Sequence, residues 1–266
     1  GFGKSFGTLV WNKNDLDESG KWWFSAYGCQ KDVPQGAELY LYSDGNPSEV
    51  FGDIEIALFG NRCLASGKSY VRFDGLHFLC SGLHGYAQTK PSGIEISDCR
   101  FDFIGGCVWN EERRIRCGNA VEFWNGAENC KVENCEFLEI YDSCFTTQGG
   151  GDCGDFENIV FRSNTMYNYG LAAYEIRDRI GKNVSFEFNV CDGAGLGFSS
   201  QHDGKIRNSE IYPDPVGSHI FAWRIENPTE GGKMRIMSNI FRGVPKGETF
   251  TKKISPSALA QIQTDF

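Results

Sequence analysis

The residues best suited to chemistry in this chain are the acids Glu122, Asp142, Glu175 and Asp178, with Arg177 beside them. Cleavage of a bond between two sugars needs two carboxyl groups across it. They stand about 5–5.5 Å apart when the anomeric centre is retained and about 6.5–9.5 Å when it is inverted. Glu122 and Glu175 lie in short alternating segments with one similar segment between them, and Asp142 enters that middle one. Stacked strands are about 4.8 Å apart, so two steps put Glu122 and Glu175 about 10 Å apart at the backbone, within reach of inversion. Asp142, one step from Glu175, suits a closer pair. Arg177 shares a face with Glu175 and would hold a substrate carboxylate or keep a neighbouring Glu ionised. These five are the expected catalytic residues. For any one of them the competing reading is a solvated strand charge paired across neighbouring strands.

The same face offers a second chemistry. β-Elimination from a uronate needs a base and a group that neutralises the carboxylate. Arg177, Arg224 or Lys182 would serve, with Asp142, Glu175 and Asp178 as oxygen ligands for Ca²⁺. The hydrolytic reading requires no cofactor and no metal. Of the four histidines, only His202 is expected near these groups; His77, His84 and His219 read as surface residues. No Gly-x-Ser-x-Gly, phosphate loop or His-Glu-x-x-His occurs, so serine-hydrolase, nucleotide and zinc-protease chemistry have no support.

Five segments are expected to position these groups: 120–124, 144–148, 173–177, 195–199 and 220–224. Period-two alternation puts Val121, Phe123, Phe145, Thr147, Tyr174, Ile176, Leu196, Phe198, Phe221 and Trp223 inside. The opposite face then carries Glu122, Trp124, Thr146, Gln148, Glu175, Arg177, Ser199 and Arg224. Trp124, Gln148, Ser199, His202, Arg224 and Glu226 are the expected substrate contacts.

Ahead of most of these segments runs a recurring frame: apolar, any, apolar, two free, a Leu/Cys/Asn/Ser slot, any, apolar. Clear copies start at 71, 94, 130, 159, 184 and 234, and a weak seventh runs through Ile206, Ser209 and Ile211. A strand-like frame at irregular spacing, punctuated by Gly, predicts a solenoid of β-coils with one long sheet face for an extended ligand. Asn164, Asn189 and Asn239 share one slot and predict a stacked amide ladder. Cys99 and Cys135 share it too, and with Cys191 read as small inward hydrophobes among 11 cysteines. A bridge among Cys107, Cys117, Cys144 and Cys153 stays open.

Residues 1–53 lack the frame and read as a small β subregion packed on the solenoid, with Leu39–Tyr42 a strand and the Trp22–Trp23 pair packing rather than stacking on sugar. The solenoid is expected over 54–242, starting at the alternating Ile54-Glu55-Ile56, and 243–266 as a cap or tail. The chain opens on Gly1, so its start reads as processed or trimmed. Net charge is −9, without a basic block, which argues against nucleic acid and an anionic membrane surface as partners. No apolar run approaches the ~18 residues of a spanning helix.

The stretch Cys130-Lys131-Val132-Glu133-Asn134-Cys135-Glu136-Phe137 resembles the V-x-N-C-x-F coils of right-handed parallel β-helix proteins, the superfamily of pectate lyases and polygalacturonases. Ile159–Met166 and Val184–Cys191 look similar, and the resemblance covers roughly 54–242. The Leu39–Pro47 stretch, LYLYSDGNP, is similar to segments preceding the helix in bacterial carbohydrate-active members. The resemblance implies an all-β right-handed parallel β-helix, a cleft along one sheet, a polysaccharide partner and a secreted or periplasmic setting. It carries over no catalytic residue. Where polygalacturonases have paired Asp, this chain has Asp142-Ser143, and it lacks their Gly-His-Gly.

Overall fold

Each clear repeat frame becomes two short strands separated by a sharp bend. In the second copy, Ile96 lies in the strand Glu95–Ser97, Asp98 turns the chain at φ 52°, and Phe101 lies in Arg100–Ile104. The bend residue takes the left-handed conformation that Asn and Asp tolerate best. Asn134 occupies the same position one rung later. The computed structural model describes residues 7–25, 35–56, 63–110, 112, 114–150, 153–198, 217–244 and 248–266.

The molecule is all-β, and its main body is three parallel sheets of six, eight and six strands. The chain visits them in the same cyclic order rung after rung, an arrangement compatible with a parallel β-helix. The six-stranded sheet that carries the candidate site is built, in spatial order, from Tyr86–Thr89, Val121–Trp124, Phe145–Gln148, Ala172–Arg177, Ser218–Ile225 and Phe250–Ile254. The segment after 242 thus supplies the last strand of this sheet, and Ile262–Thr264 the last of the eight-stranded one.

Inside, rings stack from rung to rung. Phe78, Phe101 and Phe137 lie face to face at 4.4 and 4.9 Å between centroids, and Met166, Cys191 and Phe241 continue their row in register. Cys99 and Cys135 point inward, each thiol donating to a nearby carbonyl, of Ser97 and Glu133. Burial pushes the Cys135 thiol up to about 12, which makes it an inert filler. The asparagine ladder forms as expected. Asn239 Oδ1 accepts from the Asn189 backbone and side chain, and Asn189 Oδ1 does the same for Asn164. A second ladder, Asn129–Asn158–Asn183, runs along another corner.

Val184 pairs directly with Met234 and Phe186 with Ile236, and the residues of the weak seventh copy lie outside the described ones. Two sequence expectations fail. Residues 195–198 form no strand of the site sheet, in which Ala172–Arg177 pairs directly with Ser218–Ile225. Instead Gly197 crosses against the Ile140 carbonyl, where a Cβ would come within 2.2 Å, and Phe198 packs on Tyr141. Leu196 is exposed rather than inward. Ile54 and Ile56 are exposed and form no strand.

Near the N-terminus, Thr8–Leu9, Lys21–Phe24 and Leu39–Leu41 form a small mixed sheet. Leu9 packs on Val108 of the hairpin Cys107–Asn110/Ile115–Cys117, with Trp22 and Trp23 against the same cluster. No helix among the described residues is long and apolar enough to cross a membrane.

Candidate active site

Register places the outward side chains of the site sheet in two rows. The inner row reads Ala87, Glu122, Thr146, Glu175, Phe221 and Thr251. The outer row reads Thr89, Trp124, Gln148, Arg177, Trp223 and Lys253. Glu122 and Glu175 therefore flank Thr146 on adjacent strands, as the sequence pattern predicts. Phe221 and Trp223 are corrections: they face outward, and Ile220 and Ala222 fill the core. That strand is apolar on both faces, so alternation could not set its phase. Outside, Phe221 and Trp223 form an apolar cluster with Leu171 and Ala172, which walls the carboxyl groups on one side.

Glu122 is held by three groups that meet at its Oε2. Asn119 Nδ2 donates at 2.7 Å, Gln148 Nε2 donates at 2.9 Å, and His84 Nε2 lies 3.5 Å away. The backbone N–H of Asn119 donates to His84 Nδ1 at 2.9 Å, so that nitrogen carries no proton and the ring hydrogen sits on Nε2, facing Glu122. His84 is buried, not a surface residue. Asn119 also ties the rungs together, since its Oδ1 accepts from the Ser143 N–H.

Glu175 accepts from the Trp223 indole at 2.6 Å through Oε1 and from Ser143 Oγ at 3.4 Å through Oε2. Its pKa is raised, by burial first and also by Glu122 and Asp178, against the opposing pull of Arg177 and the Trp223 hydrogen bond. Asp142 is likewise buried and its carboxyl is pushed up to about 8, chiefly by loss of solvent, with Glu175 and Glu122 adding to it and Arg116 opposing. The buried Arg116 guanidinium is 3.8 Å from Asp142 Oδ1, which accepts no hydrogen bond. Asp142 thus retains a proton into the neutral range, beside a Glu175 whose proton affinity is also raised.

Arg177 lies over the Trp223 ring at 4.4 Å and donates to Gln148 Oε1 at 2.9 Å. Asp178 turns the chain at φ 70° and faces Arg177 Nε at 3.5 Å, Arg224 Nε at 3.3 Å and the Gly149 N–H. Arg224 reaches Asp178 from a bulge at φ 58°, outside the regular row. Trp124 is half-buried in the outer row, whereas Gln148 is committed to Glu122 and Arg177. Glu226 is exposed past the strand end and forms no ion pair among the described residues. Ser199 and His202 lie outside the described residues. Among the described residues no three His, Cys, Asp or Glu side chains converge as metal ligands, and Asp178 is engaged with arginines rather than with Asp142 and Glu175.

The chain matches no family model, no curated protein and no solved structure.

His84, Asn119, Arg116 and Ser143 are candidate-site residues that sequence reasoning did not place there. Asn119 and Ser143 had nearness in sequence to Glu122 and Asp142 as a signal, whereas His84 and Arg116 lie far along the chain from the groups they face. An open groove of about 300 Å³, lined by Lys90, Asn125, Glu128, Asp155 and Glu157, lies round the next corner from Trp124 rather than over the carboxyl groups.

Proposed function

We propose that the chain is a right-handed parallel β-helix that hydrolyses glycosidic bonds of an extended polysaccharide, in a setting outside the cytoplasm. The right hand is supported by parallel neighbours joined by crossovers, which turn that way in about 98% of cases. The observation that carries the enzymatic reading is that Glu122 and Glu175, on one sheet face, and Asp142, in the turn ahead of Phe145–Gln148, are all buried and have different surroundings. Groups that perform acid–base chemistry at neutral pH need environments that push their proton affinities apart.

In this reading Glu122, anchored by Asn119, Gln148 and His84, is the general base. The acid pair Asp142 and Glu175, each with its proton affinity raised by burial, supplies the general acid. Glu122 removes a proton from water as its oxygen attacks the anomeric carbon. The bond from that carbon to the leaving oxygen breaks, and the acid pair protonates the departing sugar. Glu122 and Glu175 lie two strands apart, about 10 Å at the backbone, which favours inversion over retention. Trp124 and the outer row supply the contact surface for the saccharide.

The test is a panel of neutral and uronic polysaccharides, followed for reducing ends and for the absorbance of unsaturated uronate, with and without Ca²⁺. Reducing ends alone, lost in Glu175→Gln, support hydrolysis. Unsaturated product replaces it with elimination. Silence in both, with retention in a polysaccharide-containing native gel, replaces it with a binding solenoid.

A further inference from the structure

Thr146 stands between Glu122 and Glu175 in the inner row, fully buried, and its Oγ1 has no hydrogen-bond partner. A valine would fill the same space in a strand without burying an unpaired hydroxyl, which costs stability. The neighbouring Thr147 shows the ordinary solution: it points inward, and its Oγ1 shares a hydrogen bond with Tyr174 at 3.0 Å. On the same patch Asp142 Oδ1 is also buried without a hydrogen-bond partner. Two unsatisfied polar atoms, on Thr146 and Asp142, near Glu122 and Glu175 mark a place for a small polar molecule, since a buried water typically joins groups that would otherwise go unpaired.

We propose that Thr146 Oγ1 holds the attacking water between Glu122 and the anomeric carbon. This rests on the hydrolytic reading above and assigns Thr146 as a positioning residue. The hydroxyl accepts or donates one hydrogen bond to the water, Glu122 takes the proton that leaves it, and the oxygen's remaining lone pair forms the new bond to carbon. Thr146 neither gains nor loses a proton over the cycle.

The experiment compares Thr146→Val and Thr146→Ser with the wild type, in kinetics and in high-resolution crystal structures. The expected result is an ordered water on Thr146 Oγ1 in the wild type and in the Ser variant, absent from the Val variant. The Val variant should lose about 100-fold in kcat at little change in KM, the scale of one positioning contact in the transition state, while Ser stays near wild type. Thermal melting of Val at or above wild type separates this from misfolding. Absence of that water from the wild-type density, or full turnover in the Val variant, overturns the assignment. If the wild type cleaves no polysaccharide on the panel, the hydrolytic reading itself falls, and the role of Thr146 in attack falls with it; cleavage abolished by Glu175→Gln but untouched by Thr146→Val overturns only this inference.

Discussion

The indole N–H of Trp223 donates to Glu175 Oε1 at 2.6 Å from the neighbouring strand, while the Arg177 guanidinium covers the ring of the same Trp. One side chain thus braces an acid and a cation two residues apart. The hydrogen bond favours the ionised form of Glu175 and opposes the effect of burial.

Trp223→Phe keeps an aromatic ring beside Phe221 and Arg177 but removes the donor. The proton on the acid pair is then held more firmly. If Glu175 belongs to the general acid, the alkaline limb of kcat/KM against pH moves to higher pH in this variant. An unmoved or lowered limb takes Glu175 out of that role.

Glu122→Gln and Glu175→Gln preserve shape and remove the ionisable group. Each should lower kcat by about 10²–10⁴-fold, the usual contribution of one general acid or base, with the fold intact by circular dichroism. Asn119→Ala acts through Glu122, whose Oε2 then keeps Gln148 and the more distant His84. A smaller loss, about tenfold, is expected in single-turnover rates.

The rows were readable where aromatic and polar residues alternate. Val121-Glu122-Phe123, Phe145-Thr146-Thr147 and Tyr174-Glu175-Ile176 all hold the phase that period two assigns. Ile220-Phe221-Ala222-Trp223 did not, because an outward apolar cluster erased the contrast between faces. Residues 195–198 mimicked a strand, yet Gly197 passes close against the Ile140 carbonyl and Gly195 against Gly217. His84 and Arg116 come from outside the regular strands of the site sheet, and only tertiary structure brings them to Glu122 and Asp142. Arg224 was placed on the correct side for a reason sequence could not supply, a bulge at positive φ that aims it at Asp178.

The asparagine ladder should bear weight. Asn189 Oδ1 accepts from the Asn164 N–H, and its Nδ2 donates to the Phe161 carbonyl. Asn189→Ala leaves that buried N–H unpaired, and stability should fall by about 1–3 kcal/mol in urea denaturation. A loss under about 0.5 kcal/mol, the range of ordinary surface changes, would make the ladder ornamental.

His219 lies inside the stack, face to face with Phe241 and bonded to the Tyr169 hydroxyl, with Asp192 nearby. Burial brings its pKa from 6.5 down to about 4. Between those values the unfolded chain binds a proton that the native ring does not. Stability is therefore full above about 6.5 and is lost as pH falls toward 4. His219→Phe should flatten this part of the stability–pH curve, even if the lost Tyr169 bond lowers stability at pH 7. An unchanged slope would show that other groups govern acid unfolding.

Asp142 has the opposite sign. Its carboxyl is pushed up to about 8 in the native chain, against an ordinary value of 3.8. Between these values the native state holds a proton that the unfolded state releases, so this group lowers stability as pH rises through the window, and the loss levels off above about 8. Asp142→Asn mimics the protonated acid and removes the titration. Denaturation at pH 5, 7 and 9 should show a variant whose stability declines less with rising pH than that of the wild type, with the gain largest at pH 9. The same variant should lose hydrolysis, because an amide cannot protonate the leaving oxygen. A variant that keeps the wild-type slope would mean that Asp142 is ionised throughout, paired with Arg116, and would take it out of the acid's role.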